Sequence, residues 1–216
     1  MGGRSGQSTG GGGGGGAPLF TPGGSGVIDY LPSDANNPLS EMSNKTTDYA
    51  SYTATDKLDA NWKEVINSYT NRGYYVNAKI VDGKLNENDI KYIKTLNASL
   101  DKLKSEKGTF YRGMGMNPGS RTEKLVKFLL ENKGKNIKLN TFLSTSSRSD
   151  IEFGNSKQNK VFFTVIGKNG KSVERLSSHL GEKEFLFKTG SKFKVSKTSK
   201  ETKNGKELIN ITLTEK

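Results

Sequence analysis

Apolar residues in the first half of the chain recur every three or four positions, the spacing of one face of an α-helix. One such segment starts at residue 58 and can end at Gly73, and a second spans residues 90–103. A third opens at Ser120-Arg121-Thr122-Glu123, which has the form of a capping box, and stops near Gly134. We predict three amphipathic helices, with apolar positions Leu58, Trp62, Val65, Ile66 and Tyr69; Ile90, Ile93, Leu96, Leu100 and Leu103; and Leu125, Val126, Leu129 and Leu130.

The second half has a different pattern, in which short β-branched or aromatic runs alternate in part with polar residues. The runs cover residues 161–166, 185–187, 193–195 and 208–213. Helices followed by strands predict an α+β fold with an antiparallel sheet. The chain has no Gly-x-Gly-x-x-Gly after a strand and no βαβ alternation, so the pattern does not support a Rossmann fold.

The N-terminal quarter of the chain differs in composition from the rest. Of the 26 glycines, 13 lie in residues 1–26. Such a tract cannot bury enough apolar surface to offset its ordering entropy, and residues 27–55 remain polar, which indicates loose or partly docked chain. We predict a Gly-rich, polar, flexible tail over residues 1–56 and a single folded domain over residues 57–216.

Charge divides the chain at the same place. Residues 1–56 hold two basic and five acidic residues, a net charge of −3, so the total of +12 leaves +15 for residues 57–216. This excess favours anionic partners such as nucleotides, nucleic acid or acidic protein surfaces. A lysine-rich composition that only keeps the domain soluble is an equal alternative.

Several classes of site are excluded by residues that the chain lacks. It has no cysteine, which excludes disulfides, thiolate metal sites and cysteine nucleophiles. With a single histidine, His179, it cannot form a multi-histidine metal site, and we expect no metal. No apolar run approaches the roughly 18 residues of a membrane-spanning helix, and the first 30 residues lack the pattern of a secretory signal peptide.

Three short polar segments lie beside strand-like runs: Phe110-Tyr111-Arg112-Gly113, Phe142-Leu143-Ser144-Thr145-Ser146 and Glu182-Lys183-Glu184-Phe185-Leu186-Phe187. Taken singly, each has an ordinary explanation, as a surface salt bridge, a Ser/Thr turn and a solvated loop. In this order and spacing, however, the segments resemble the signature of the Arg-Ser-Glu class of mono-ADP-ribosyltransferases. That class includes the enzymatic components of iota-like toxins, vegetative insecticidal toxins and several phage enzymes.

The signature consists of an aromatic-Arg-Gly strand, an aromatic-x-Ser-Thr-Ser strand and a Glu-x-Glu that leads into an apolar strand. The following residues, 185–195, also resemble the closing hairpin of the family, with its Gly-Ser-x-Phe-x-Val turn. The resemblance covers about residues 57–216. It implies an ADP-ribosyltransferase fold, in which N-terminal helices pack on two antiparallel β-sheets with an NAD cleft between them.

The resemblance also implies a reaction, the transfer of ADP-ribose from NAD to a protein with release of nicotinamide. Cleavage of the bond between nicotinamide and ribose has an oxocarbenium-like transition state, which a fixed carboxylate near the ribose stabilises. By its place in the motif, Glu184 holds the ribose hydroxyl and stabilises this charge, Arg112 binds the pyrophosphate and Ser144 orients Glu184. The expected NAD-binding residues are Tyr111, Arg112, Gly113, Ser144, Thr145, Ser146, Phe153 and Glu184.

Two residues of the same region are expected to recognise the acceptor. In the family, Glu at the position of Glu182 accompanies arginine as acceptor, and a carboxylate can orient a protonated guanidinium for attack. Relatives in the iota-like group place Phe or Tyr where this chain has His179, a departure that concerns the target more than the chemistry. An ordinary exposed histidine is an equal alternative for that position.

Phe153 follows the Ser-Thr-Ser segment at about the distance where relatives place an aromatic ring that stacks on nicotinamide, with a core position as an equal alternative. Lys157 or Lys160, a few residues further on, then contacts a phosphate, and the sequence does not distinguish the two.

We therefore expect a monomeric glycosyltransferase acting on an arginine of a target protein, either actin or bacterial transcription or translation machinery. The absence of a signal peptide and membrane helix suits a phage or bacterial effector acting in the cytoplasm of a host cell after delivery. The alternatives are an NAD glycohydrolase and a basic nucleic-acid-binding or interaction module on the same fold.

Overall fold

The structure of the protein is a computed structural model that describes residues 27–30, 61–150, 159–203 and 205–216. Its helices are α1 (Trp62–Asp82), α2 (Glu87–Asp101) and α3 (Arg121–Glu131). The strands are β1 (Val27–Tyr30), β2 (Ser105–Met116), β3 (Asn136–Leu139), β4 (Leu143–Ser146), β5 (Asn159–Ser172), β6 (Glu184–Phe187), β7 (Ser191–Lys203) and β8 (Lys206–Glu215).

The first predicted helix is longer than expected. Its predicted end at Gly73 is wrong, because α1 continues to Asp82 and stops at Gly83, which has a φ of 65°. Val76 and Ile80 extend the apolar face beyond Gly73 and are buried in the core shared with α2. This packing outweighs the roughly 1 kcal/mol that a glycine costs inside a helix. Leu58, the first predicted apolar position, lies outside the described residues.

The other two helices begin where hydrogen bonds to side chains define their first turn. A full capping box opens α2, in which the Asn86 side chain accepts from the Asp89 N–H and the Asp89 carboxylate from the Asn86 N–H. At α3 only half of the predicted box forms. The Ser120 hydroxyl accepts from the Glu123 N–H, whereas the Glu123 carboxylate accepts from the Gly119 N–H at 2.6 Å.

The strands form one hydrogen-bonded network in the order β1-β3-β7-β8-β5-β2-β4-β6, with a further pairing between β5 and β6. The α+β class is confirmed, but the sheet is mixed. Strand β1 pairs in parallel with β3, and β5 pairs in parallel with β8. Strand β1 lies in the segment predicted as loose or partly docked chain.

The segment 185–195 is not a hairpin, although the resemblance suggested one. Strand β6 pairs with β4 and β5, whereas β7 pairs with β3 and β8. The chain turns at Gly190, where φ is 79°, and the Gly190 N–H donates to the Leu139 carbonyl of β3. This bond directs β7 to the edge of β3 instead of back along β6.

Two apolar cores support the sheet. One lies between the sheet and α3 and includes Phe128, Phe163 and Phe193. The other joins α1 and α2 to Phe142, next to β4, and to Leu186 of β6. Because both helices pack against the segments around β4 and β6, they fix the strands that carry the polar motifs.

Candidate active site

Neighbouring strands bring the three predicted motif residues into one hydrogen-bonded chain. Arg112 lies on β2, Ser144 on β4, and Glu184 on β6 opposite Ser146. The Arg112 guanidinium donates from Nη1 to the Ser144 carbonyl at 2.6 Å, and the Ser144 hydroxyl donates to Glu184 Oε1 at 2.6 Å. Residues that are 32 and 40 positions apart in the chain thus make direct contacts.

Glu184 is a buried carboxylate held by two hydroxyls. Its residue is only 7% exposed, and Oε2 accepts from the Ser177 hydroxyl at 3.2 Å. Burial raises the pKa of Glu184, and the charge of Glu182 adds to this rise. The hydrogen bonds from Ser144 and Ser177 oppose it, as does the charge of Arg112. Specific donors therefore stabilise the ionised form.

Arg112 supplies a half-buried cation beside this carboxylate. Burial lowers the pKa of Arg112, while the nearby Tyr69 and Glu184 raise it. A guanidinium remains protonated in proteins and has five N–H donors, of which the bond to the Ser144 carbonyl uses one. The side chain thus suits recognition of a phosphate or pyrophosphate.

Helix α1 contacts the chain immediately before β4. The buried Tyr69 ring packs on Phe142 with centroids 5.1 Å apart, and its hydroxyl accepts from the Asn77 side-chain amide. The same amide group pairs with both backbone groups of Phe142, at 2.9 and 3.0 Å. Burial raises the pKa of Tyr69, so this phenol is neutral. Two residues of α1 therefore anchor the chain where it enters β4.

Thr145 and Ser146 are buried, and their hydroxyls donate to backbone carbonyls. The Thr145 hydroxyl donates to the Phe185 carbonyl at 3.0 Å, and the Ser146 hydroxyl donates to the Glu182 carbonyl at 2.6 Å. Both side chains thus fasten β4 to β6 and to the segment before it. Their predicted part in NAD binding stays a prediction.

Tyr111 and Gly113 flank Arg112 on β2. Tyr111 is half-buried and lies between Ser146 of β4 and Thr164 of β5 in the pairing register. Gly113 is buried opposite Phe162. Both therefore lie next to the Arg112–Ser144–Glu184 chain, and their contact with NAD stays a prediction.

The remaining predicted residues lie on or near the loop before β6. His179 is exposed, and its N–H donates to the Ser177 hydroxyl at 3.1 Å, while Glu182 is half-buried. Phe153 and Lys157 lie outside the described residues. Lys160 is half-buried on β5, opposite Gly115 and Leu208, so the choice between the two lysines stays open.

Sequence reasoning missed Ser177, Tyr69 and Asn77. The apolar pattern predicts Tyr69 only as part of the buried face of a helix. The structure confirms that position and adds the contacts to Phe142 and Asn77. Ser177 stands seven residues before Glu184 in a polar segment that has no helical or strand-like period. Its contact with the carboxylate depends on the return of the loop, which no local pattern encodes.

The described part of the chain has neither a cluster of metal-ligating side chains nor a helix that could cross a membrane. Within residues 27–30, 61–150, 159–203 and 205–216, no group of three or more His, Asp or Glu residues could hold a metal ion. Over the same ranges, no helix has the length and apolar character that crossing a membrane requires.

Comparison with known proteins identifies the family to which this chain belongs. The sequence model of the ADP-ribosyltransferase exoenzyme family matches residues 41–216. The chain belongs to this family. The resemblance found in the sequence is thus confirmed, and NAD is the substrate of ADP-ribosyltransferases. The residues fit that substrate, since a half-buried guanidinium and a buried carboxylate lie within one hydrogen-bonded chain.

Individual relatives of this ADP-ribosyltransferase exoenzyme are distant. A putative NAD(+)--arginine ADP-ribosyltransferase, Mav, of Mycobacterium avium (strain 104) is 26% identical over 155 residues, which is 71% of this chain. The alignment spans only 18% of that relative. Among solved structures, the toxin Plx2a from Paenibacillus larvae is 19% identical with a TM-score of 0.54, covering 82% of this chain and 96% of its own. C3larvin toxin from the same species is 24% identical with a TM-score of 0.51, and the match covers 80% of this chain and 94% of the toxin. These structures confirm the ADP-ribosyltransferase fold.

Proposed function

We propose that the protein is a mono-ADP-ribosyltransferase that transfers ADP-ribose from NAD to an arginine side chain of a target protein and releases nicotinamide. The observation that carries this proposal is the chain of contacts from Arg112 through Ser144 to the buried Glu184 carboxylate. It joins a cation suited to a pyrophosphate to a fixed anion suited to a sugar that develops positive charge.

Each residue has a distinct part in the proposed mechanism. Glu184 accepts a hydrogen bond from a ribose hydroxyl and stabilises positive charge at the adjacent carbon. Ser144 and Ser177 hold this carboxylate in position before the substrate binds, so that no reorganisation is needed at the transition state. Arg112 binds the pyrophosphate with the donors that Ser144 does not use.

Glu182 supports arginine as the acceptor. It lies two residues before Glu184, and its backbone is held by the Ser146 hydroxyl. A carboxylate there can pair with a guanidinium, orient its nitrogen toward the ribose and take up the proton released on attack. The similarity to the putative NAD(+)--arginine ADP-ribosyltransferase of Mycobacterium avium supports the same acceptor.

The experiment compares wild-type protein with Glu182→Gln and Glu184→Gln, using labelled NAD and a bacterial lysate. We expect Glu184→Gln to release no nicotinamide. Glu182→Gln should still release nicotinamide but transfer no label to protein. Unchanged transfer by Glu182→Gln would show that Glu182 does not determine the choice of arginine as acceptor. Wild-type nicotinamide release without labelled protein in any lysate would favour an NAD glycohydrolase.

The biological setting and the domain limits belong to the same proposal. We assign catalysis to residues 57–216, to which β1 of the N-terminal segment adds an edge strand. The family description, exoenzyme, is consistent with an effector that acts in a host cell. Identifying the labelled protein in actin-containing and bacterial lysates would test the two target classes.

A further inference from the structure

The loop before β6 carries both predicted acceptor residues. We define the acceptor loop as residues 176–183, which include His179 and Glu182. Its tip is exposed, with Leu180 78% accessible. Gly181 has a φ of 92° and Lys183 a φ of 47°. Residues with a Cβ disfavour the conformation of Lys183, so other contacts must hold the loop in it.

Three consecutive residues at the end of β4 hold three consecutive carbonyls of this loop. The Ser146 hydroxyl donates to the Glu182 carbonyl at 2.6 Å, and the Ser147 N–H donates to the Lys183 carbonyl at 3.2 Å. The Arg148 guanidinium donates from Nη1 to the Gly181 carbonyl at 3.2 Å. We call residues 146–148 the loop clamp. Its bonds surround the peptide groups on both sides of Glu182.

Arg148 takes part in the clamp twice. Its backbone N–H donates to the Ser146 hydroxyl at 2.9 Å, which leaves the proton of that hydroxyl for the Glu182 carbonyl. Its guanidinium pairs with Asp150 through Nε at 3.0 Å and Nη2 at 2.8 Å. This fork fixes the plane of the guanidinium and directs the third nitrogen, Nη1, to Gly181.

We propose that Arg148 is a positioning residue that fixes Glu182 beside Glu184 and thereby favours transfer to a guanidinium over hydrolysis of NAD. The inference rests on the proposed function, because it concerns whether the ADP-ribose released from NAD passes to a guanidinium or to water. Arg148 makes no described contact with Arg112, Ser144 or Glu184, so its loss leaves the carboxylate that cleaves NAD in place. The loop alone gains freedom, and Glu182 loses its fixed relation to the ribose.

The activity test uses Arg148→Ala with the free guanidine compound agmatine as acceptor. We expect kcat/KM for agmatine to fall about fivefold, the effect of one exposed hydrogen bond from a charged donor. The KM for NAD and nicotinamide release without acceptor should stay within about twofold. Arg148→Lys, which cannot pair with Asp150 and Gly181 in the same way, should recover only part of the loss.

Two further variants separate the clamp from a general loss of an ion pair. Asp150→Asn removes the orienting charge but keeps the Gly181 contact possible, and should lower the transfer-to-hydrolysis ratio less than Arg148→Ala. Arg121→Ala is the matched control, because Arg121 also makes a forked, exposed pair with a carboxylate, that of Asp82. It should change neither transfer nor hydrolysis. Equal losses of transfer and hydrolysis in Arg148→Ala, or no loss of either, would overturn the proposal.

A measurement without NAD distinguishes failure of the clamp from failure of the proposed function. Chymotrypsin can cleave after Leu180, and we expect faster cleavage there in Arg148→Ala than in wild type or Arg121→Ala. Unchanged cleavage would show that Arg148 does not hold the loop and would overturn the proposal. A wild-type protein that consumes no NAD would instead overturn the proposed function, and the division between transfer and hydrolysis with it, whatever the cleavage rates.

Discussion

The two hydroxyls on Glu184 differ in geometry, and their removal should differ in effect. The Ser144 hydroxyl lies 2.6 Å from Oε1, whereas the Ser177 hydroxyl lies 3.2 Å from Oε2. We compare the variants Ser144→Ala and Ser177→Ala, each of which lacks one of the two hydroxyls. Ser178→Ala is the matched control, since the neighbouring Ser178 side chain contacts Thr70 instead of Glu184.

The magnitude follows from the two distances. A separation of 2.6 Å falls in the range of charge-assisted O–H···O⁻ bonds, which contribute about 1.5–3 kcal/mol. Each 1.36 kcal/mol corresponds to roughly tenfold in rate, so Ser144→Ala should lower kcat/KM by roughly 10- to 150-fold. The bond from Ser177 is longer than a usual O–H···O bond, so Ser177→Ala should lower kcat/KM only about fivefold.

The assay is nicotinamide release from NAD, with kcat/KM measured across the acid range. In the proposed mechanism activity requires ionised Glu184, and burial already raises its pKa. Both hydroxyls lower that pKa by stabilising the carboxylate, so either substitution raises it further. The acid limb of the profile should therefore move to higher pH in both variants, and more in Ser144→Ala.

Two results would refute this reasoning. One is a loss in Ser177→Ala that equals or exceeds the loss in Ser144→Ala, because distance would then not determine the contribution. The other is an acid limb that moves to lower pH in either variant, which would mean that the hydroxyls do not stabilise the charge of Glu184. Ser178→Ala should retain the wild-type profile, which shows that removing a loop hydroxyl is not itself damaging.

Further predictions concern stability. Because burial raises the folded-state pKa of Glu184, its stabilising contribution is present at low pH and lost as pH rises through that pKa. Glu184→Gln should thus be more stable than wild type near neutral pH in urea unfolding, with the difference shrinking in acid; a pH-independent difference would contradict this. Gly167→Ala should cost about 1–3 kcal/mol of unfolding free energy, because the new Cβ would lie 2.5 Å from Phe187 Cζ. Gly108→Ala, whose Cβ would be 3.3 Å from Phe110 Cζ, should cost less, and equal losses would contradict the packing argument.

Local periodicity could predict the helices but not where long-range packing extends them. The sequence pattern predicts the apolar face of α2 from Ile90 to Leu100, but it also predicts that the first helix stops at Gly73. Its helix continues because Val76 and Ile80 are buried against another element, a contact that a local window does not contain. Strand β1 was missed for the same reason, since its pairing partner β3 lies more than 100 residues later.

The site could be predicted as far as the resemblance reached. Arg112, Ser144 and Glu184 were assigned on motif order, and the structure brings them together. Ser177 and Arg148 could not be found in this way. Their contacts depend on which atoms the returning loop places beside Glu184 and Gly181, and that geometry is set by β4 and β6 together.

Strand β8 has a consequence for how the enzyme is made in a cell. It is late in the chain yet lies between β5 and β7, and it is paired with both along most of its length. Without residues 206–215 the sheet falls into two parts, β1-β3-β7 and β5-β2-β4-β6, and the second part carries the whole Arg112–Ser144–Glu184 chain. A ribosome adds β8 after every other described strand, so a nascent chain closes the sheet only once residues 206–215 have been made. Completion of the sheet is therefore timed to the synthesis of β8, not to the synthesis of Arg112, Ser144 and Glu184.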